Sequence, residues 1–294
     1  MQFASLRALR HRDFRLLWIG LFVSAVGTWM QIVAQALLVL HLTGGSAFAL
    51  GTVSLAQAAA FFLFAPSGGA LADRLDKRRL LIVTQSILLL LAAGLGALTL
   101  AGLVRLWVIV VAAFCGGAAL SFDQPARNSL IPSLVPPGDL MNAVSLQSII
   151  FSGASTFGPA LAGVMVAVIG YGGNFFLNAA SYLAVIVALV RLRPVAAPPR
   201  AMREPLWRSV RATLLTAARD RALPAVVTGY GALLFLGPSP AVMLPIFALR
   251  VLHLTAAQMG FLFSAVGVAP SSAGWQLLRW VISSTKSDCF WRRF

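Results

Sequence analysis

The chain of 294 residues is 59% hydrophobic and 11% charged, and its mean hydropathy is +0.87. Because soluble domains carry about 25% charged residues, this composition excludes a soluble globular protein and indicates an integral membrane protein. The net charge of +15 lies in short blocks between apolar runs, which favours a membrane topology signal over a nucleic-acid-binding face, and two cysteines exclude a disulfide framework.

Four long runs with few charged residues predict pairs of membrane helices. The run from 16 to 72 holds no Asp, Glu, Lys or Arg and is long enough for two spans joined near 42–46, since one span needs about 20 apolar residues. The basic start of the chain resembles a signal peptide, but the apolar run continues too far, so we interpret it as an uncleaved first span. Similar runs follow at 80–122 with a hinge near 101–105, at 140–190 with a hinge at 170–174, and at 222–278 with a hinge around 249–255.

These runs are too long for barrel strands and show no sustained alternation of polar and apolar residues. The sequence therefore predicts an all-α membrane protein of about eight transmembrane helices. All but two of the 23 Lys and Arg residues lie at the termini or in alternate connections, and only Arg105 and Arg250 fall on the other side. Since Lys and Arg are enriched on the cytoplasmic side, we expect a multi-pass protein of the cell membrane, in contact with its lipid bilayer, with both termini in the cytoplasm.

The chain divides into four predicted segments: a six-helix half at 1–190, a basic cytoplasmic linker at 191–221, two helices of a second half at 222–282, and an atypical cytoplasmic tail at 283–294. The pentapeptide VLHLT occurs at 39–43 and again at 251–255, at matching positions in a helix pair. This repeat favours an internal duplication, which is common in secondary transporters. A full second unit would have six spans, so we expect that the second half is truncated or has a frameshifted end.

The predicted connection between the second and third spans carries the sequence GGALADRLDKRRLL at 68–81. It resembles the motif G-x-L-A-D-R-x-G-R-K-x-x-L of the major facilitator superfamily, with Asp76 in place of the second glycine. The matching residues are Gly69, Leu71, Ala72, Asp73, Arg74, Lys77, Arg78 and Leu81. Segments at 12–31, at 123–146 and at 157–163 resemble the first span, the 4–5 loop and the span-five Gly-Pro element of the drug- and siderophore-exporter branch, which includes enterobactin exporters.

This resemblance implies a major-facilitator-type helical bundle and a secondary active exporter of small amphipathic, drug-like or siderophore-like molecules. Such a transporter works by alternating access and uses an ion gradient, here expected to be of protons. By resemblance, Asp73 and Arg74 belong to a cytoplasmic gating motif with Gly69, Lys77 and Arg78. Asp123 and Arg127 are expected as their partners in the neighbouring loop. The alternative for the basic residues is that they only fix topology.

A polar stripe on the first span predicts a substrate pathway. Ser24, Thr28, Gln31 and Gln35 are spaced by four, three and four residues, so they share one helix face. Polar groups avoid lipid, and the resemblance implies that spans one and four line a cavity, so we expect Thr28, Gln31 and Gln35 along the pathway. Similar stripes are Ser145, Ser148, Ser152 and Ser155, for which we favour helix packing, and Asn174, Asn178 and Ser181. Gly158 and Pro159 are expected to bend the fifth span.

Two other classes of function remain as alternatives. The first is a non-transporting membrane protein, either a remnant or a scaffold that pairs with another chain. The second is a membrane enzyme, which we do not expect because no acid, base or nucleophile cluster lies within a predicted span. No nucleotide-binding or metal-ligand pattern is present in the sequence, so no cofactor is expected and ATP-driven transport is disfavoured. His41 and His253, at the outer ends of spans, are more simply solvated residues than proton relays.

Overall fold

A computed structural model describes residues 4–193, 245–246, 255, 258–260 and 263, and within this set it leaves the side chains of residues 4, 5 and 73 undescribed. The predicted linker beyond residue 193, most of the seventh and eighth spans, and the tail lie outside the described residues. The proposed division of the whole chain into domains therefore stays a prediction.

The described part of the chain is helical throughout, apart from short connections. After a 3₁₀ segment at Ala4–Arg10, five helices are long and apolar enough to cross a membrane. They are α1 (Arg12–Leu42), α2 (Ala47–Arg74), α3 (Lys77–Leu100), α4 (Leu106–Leu130) and α5 (Leu140–Arg191). Two 3₁₀ turns, Ile131–Leu134 and Pro137–Asp139, connect α4 to α5. The chain is thus a multi-pass membrane protein, and the hinges predicted near 42–46 and 101–105 fall between helices.

The fifth helix is two spans rather than one. At 52 residues, α5 would extend for about 78 Å, far more than the hydrocarbon thickness of a membrane. Its backbone leaves the helical region at Gly170, with φ 70° and ψ −178°, a conformation that glycine adopts without steric cost. The break lies within the hinge predicted at 170–174, so the helix divides into a first arm at 140–169 and a second arm at 171–191.

Contacts with α1 establish that the two arms of α5 run in opposite directions. Along α1, later residues contact later residues of the first arm, so these two helices are parallel. Later residues of α1 contact earlier residues of the second arm, so these two are antiparallel. The contacts are Trp18–Leu146 and Trp29–Gly158 for the first arm, and Gly20–Ala188 and Gly27–Ser181 for the second. The described part of the chain therefore holds six membrane-length segments, in agreement with a six-helix unit.

The turn between α2 and α3 is made without the glycine of the superfamily pattern. Leu75 and Asp76 both have negative φ and extended ψ, so neither position requires a glycine. The carboxylate of Asp76 accepts hydrogen bonds from the backbone N–H groups of Arg78 and Arg79, at 2.9 and 3.3 Å. Asp76 is therefore the N-cap of α3 and satisfies donors that the helix itself leaves free.

Small residues bring α2 and α4 together. A Cβ atom added at Gly68 would overlap the backbone oxygen of Ser121, and one at Gly117 would overlap the backbone oxygen of Gln57. The α1 and α2 helices, in contrast, touch at few places, and this separation leaves space between α1, α2 and α4. Large apolar side chains such as Phe48, at 87% exposure, cover the outside of the bundle, as lipid contact requires.

Candidate functional site

Two adjoining cavities open the interior of the bundle. The larger has a volume of about 420 Å³, lies between α1, α2 and α4, and has mainly apolar walls that include Phe61 and Phe62. The smaller has a volume of about 60 Å³ and extends to Tyr182 on the second arm of α5. Gln35 and Gln57 line both cavities and therefore mark their junction. The larger volume is in the range of small-molecule sites.

The residues predicted for a substrate pathway lie together at this site. Thr28, Gln31 and Gln35 all line the smaller cavity, and Gln35 also lines the larger one. Ser24, the first member of the predicted stripe, is instead buried in the protein interior. The geometry thus places three polar side chains of α1 beside open space, and their contact with a substrate stays a prediction.

Hydrogen bonds join the polar face of α1 to the second arm of α5. The Asn178 amide donates to the Gln31 side-chain oxygen at 2.7 Å and accepts from the Ser181 hydroxyl at 2.9 Å. The hydroxyls of Thr28 and Tyr182 lie 3.2 Å apart. The polar residues at 174, 178 and 181 are fully or almost fully buried, and Asn178 and Ser181 contribute to this helix contact. The amide of Asn174 differs, because neither of its polar atoms has a partner among the described residues.

The cavity also contains two polar residues of α2 that the sequence analysis did not single out. Ser54 lines the larger cavity and Gln57 lines both, three residues apart on one face of α2. Neither side chain makes a hydrogen bond with another described residue. The spacing of Ser54 and Gln57 indicates from sequence that they share one face of α2. The sequence does not show that this face lies across the cavity from Gln35 of α1, because that depends on how α2 packs against α4.

A buried ionic cluster lies near the start of α3 and the end of α4. The Asp123 carboxylate is inaccessible to solvent and forms an ion pair with Arg127, whose side chain is 24% exposed. Asp123 also accepts hydrogen bonds from Thr84 at 2.9 Å and from Gln85 at 2.8 Å. The expected placement of Asp123 and Arg127 in a loop is wrong, because both residues lie in the last turns of α4. The helix continues through Pro125 to Leu130. Thr84, Gln85 and Arg127 satisfy the buried carboxylate.

The comparison with known proteins decides the family. Residues 3–286 match the family of major facilitator transporters described as transmembrane secretion effectors. The chain belongs to this family. The family consists of membrane transporters, and the apolar spans of the described residues and the cavity between them are consistent with membership.

Individual relatives in this family include siderophore transporters. The chain is 26% identical over 259 residues to an enterobactin exporter of Citrobacter koseri, which covers 87% of this chain and 61% of the relative. It is 32% identical over 170 residues to a staphyloferrin A transporter of Staphylococcus aureus, which covers 57% of this chain and 43% of the relative. An uncharacterised transporter of Bacillus subtilis is 26% identical over 167 residues, or 39% of its length. The chain therefore spans about 40–60% of the length of these relatives.

A solved structure shares the fold. The structure is that of a bacterial homologue of the human lysosomal transporter Spinster, in an inward-facing and unoccupied conformation. It superposes with a TM-score of 0.65 over 87% of this chain and 60% of that chain, at 14% sequence identity. At this level of identity the similarity supports the helical bundle and nothing further about the site.

Two basic residues of the expected gating motif contact helix ends. The Lys77 ammonium donates to the carbonyl of Ser129 at 3.1 Å, in the last turn of α4. The Arg78 guanidinium donates to the carbonyl of Val190 at 2.7 Å, at the end of α5. The last carbonyls of a helix have no partner within the helix and carry partial negative charge, so cations are stabilising there. Both residues thus connect the start of α3 to neighbouring helix ends.

The other motif positions fall at the end of α2. Gly69 has open space where a Cβ atom would be added, so no packing contact in the described part requires glycine there. Asp73 and Arg74 occupy the last turn of α2, and the side chain of Asp73 lies outside the described residues. The gating role of these three residues stays a prediction.

Gly158 and Pro159 of the exporter-like element are buried in the first arm of α5. A Cβ atom at Gly158 would crowd the side chain of Trp29 and the backbone of Val26, so glycine permits close approach to α1. The backbone stays helical here, and α5 departs from helical angles only at Gly170. Gly260 packs against the carbonyl of Pro159, so this element also contacts the segment at 222–282 that is predicted to begin a second half. The bend expected at Gly158 and Pro159 stays a prediction.

Proposed function

We propose that this chain is a secondary active transporter of the cell membrane that exports small amphipathic molecules by alternating access. The observation that carries the proposal is the cavity of about 420 Å³ between membrane helices, with Gln35, Ser54 and Gln57 in an otherwise apolar wall. Unpaired amides are costly in a membrane span unless they face water or a ligand. The named relatives support a siderophore-like substrate, whereas a drug-like substrate rests on the sequence resemblance alone. A proton gradient is the driving force in this proposal.

Transport by the chain alone is the direct test. The full chain would be reconstituted into proteoliposomes with a siderophore or a fluorescent drug, and a proton gradient would be imposed. We expect gradient-dependent accumulation that Gln31→Leu reduces, because this change removes a polar group from the cavity. Gln124→Leu, at an exposed position outside both cavities, is the matched control. Loss of a response to the gradient would exclude proton coupling, and absence of accumulation would exclude transport by this chain alone.

The alternative is a membrane protein that needs a second chain. The described helices form one six-span unit, and the chain covers 61% of the length of the enterobactin exporter relative. Co-reconstitution with a separately expressed second half of a relative distinguishes the two proposals. Transport that appears only in the mixed vesicles supports pairing with another chain.

Substitutions of two aspartates on either side of the connection between α2 and α3 test the proposed gate. Asp73→Asn removes the charge that the family motif assigns to closing the cytoplasmic side, so we expect transport to be lost while the protein still inserts. Asp76→Asn is the control, because asparagine is also a good N-cap and keeps the start of α3 intact. Equal loss of transport in the two variants would contradict a specific role for Asp73.

The proposed orientation places Arg74, Lys77 and Arg78 in the cytoplasm. Single cysteines introduced at Gly44, Asp76 and Gly102 in a variant that lacks the natural cysteines test it with a membrane-impermeant thiol reagent in intact cells. We expect labelling at the two glycine positions, which lie in the connections after α1 and α3, and none at position 76. The reverse pattern would invert the topology.

A further inference from the structure

The junction of the two cavities has a distinctive chemistry. Gln35 on α1 and Gln57 on α2 line both cavities, and Ser54 adds a hydroxyl to the larger one. None of these three side chains forms a hydrogen bond with another described residue. Each glutamine therefore presents an N–H₂ donor and a carbonyl acceptor to the open space, and neither carries a charge.

Among the described residues, the remaining walls contain no ionic partner for a charged ligand. Every other side chain that lines either cavity in the described part of the chain is uncharged, and Phe61 and Phe62 are prominent in the larger one. In the described ion pair Asp123–Arg127, the two charges compensate each other, and neither residue lines either cavity. A charged ligand would be desolvated here without a compensating counter-charge, at a large free-energy cost. The cost of desolvating an uncharged ligand is much smaller.

We propose that Gln35 and Gln57 are specificity-determining residues of a site that takes uncharged molecules with an apolar body and hydrogen-bonding amide, carbonyl or hydroxyl groups. The inference rests on the proposed function only in treating the cavity as the substrate site. The two amides hold the polar group of the ligand at the junction, Ser54 adds a contact, and the phenylalanine side chains cover the apolar body. The site thus selects against ions, because no described lining residue supplies a counter-charge.

Binding to the purified full chain tests this inference separately from transport. The protein in lipid nanodiscs would be titrated with chloramphenicol, ethidium and fluorescein, which are an uncharged amide, a cation and an anion of similar size. We expect saturable binding of chloramphenicol at least tenfold tighter than that of either ion. Tighter binding of ethidium or fluorescein, or no saturable binding of chloramphenicol, would overturn the proposed ligand class.

Substitutions then test the two glutamines. Gln35→Leu and Gln57→Leu keep side-chain size but remove the hydrogen bonds, so each is expected to weaken chloramphenicol binding about three- to tenfold. Gln124→Leu is the matched control and leaves binding unchanged. Gln57→Glu introduces a counter-charge and is expected to tighten ethidium binding at least tenfold. If both leucine variants bind as the control does, the assigned role of the glutamines is wrong.

Parallel transport measurements separate the two proposals. Glutamine-dependent binding of chloramphenicol without transport supports the site and contradicts the proposed function. Transport of an ionic probe that is unaffected by both leucine substitutions supports the function and overturns the site. Each variant is first required to elute as a single species of wild-type size, so that a folding defect is not read as a loss of binding.

Discussion

Asp123 and Arg127, one turn apart on α4, form an ion pair in which the Asp123 side chain is fully buried and the Arg127 side chain is 24% exposed. Thr84 and Gln85 of α3 donate to the same carboxylate, so four side chains connect the two helices. Replacing only one partner of such a pair lowers the stability of the protein strongly, because the charge that remains is buried without compensation.

Arg127→Met is therefore expected to destabilise the protein by about 3–5 kcal/mol, since it leaves the Asp123 carboxylate without its cation. The double variant Asp123→Asn, Arg127→Met removes both charges and is expected to recover much of this loss. Thermal unfolding in detergent, followed by tryptophan fluorescence, measures both effects. A double variant that is less stable than Arg127→Met would show that the carboxylate is stabilised mainly by its other donors.

The contact between Arg78 and the end of α5 gives a second prediction. Arg78→Met removes the hydrogen bond to the carbonyl of Val190 and the favourable charge at the helix terminus, at an expected cost of about 1 kcal/mol. Arg79→Met is the neighbouring control. Its side chain is 87% exposed and lies 3.8 Å from Asp76, and exposed pairs contribute little. Equal melting temperatures for the two variants would contradict a capping role for Arg78.

Substitutions of Asp76 test how much the N-cap of α3 contributes to stability. Asp76→Ala leaves the N–H groups of Arg78 and Arg79 without their acceptor and is expected to lower stability by about 1 kcal/mol, measured as the shift in thermal unfolding. Asp76→Ser keeps a good cap and is expected to lose much less. If the alanine and serine variants unfold at the same temperature, the cap contributes nothing measurable in the membrane protein.

Features that depend on a single segment of the chain could be predicted from the sequence. Charge-free runs indicated the spans, and the glycine cluster at 170–174 marked the reversal at Gly170, because each signal lies within a few consecutive residues. The stripe of Thr28, Gln31 and Gln35 followed from helical spacing alone. The cap formed by Asp76 was missed, although an aspartate before a helix is a local signal, because the superfamily pattern has glycine there.

Features that depend on which helices meet were not predictable in this way. The burial of Asp123 requires donors from α3, almost 40 residues earlier in the chain, and its loop placement was wrong for that reason. Gln57 becomes a cavity residue only because Gly117 lets α4 approach the backbone of α2. Helical periodicity describes the faces of one helix and does not identify the neighbour of each face.

The close contact of α2 with α4 predicts opposite effects for two adjacent glycines. Gly117→Ala places a methyl group against the Gln57 carbonyl and is expected to cost about 1–3 kcal/mol, because the two helices have to separate. Gly116→Ala meets nothing within 4 Å and is expected to stabilise α4 by about 0.5–1 kcal/mol, since alanine favours a helix interior. Thermal unfolding of the two variants gives the comparison. Similar values would mean that α2 and α4 are further apart than described.

Asn174 is the remaining buried amide, fully inaccessible and without a partner for either polar atom among the described residues. Asn174→Leu keeps a similar size and removes the cost of an unsatisfied amide, so we expect it to stabilise the protein by about 1–3 kcal/mol in thermal unfolding. Asn178→Leu is the matched control one turn away and is expected to destabilise, because it breaks hydrogen bonds to Gln31 and Ser181. A loss of stability in Asn174→Leu would show that this amide binds a group elsewhere in the chain or a bound molecule.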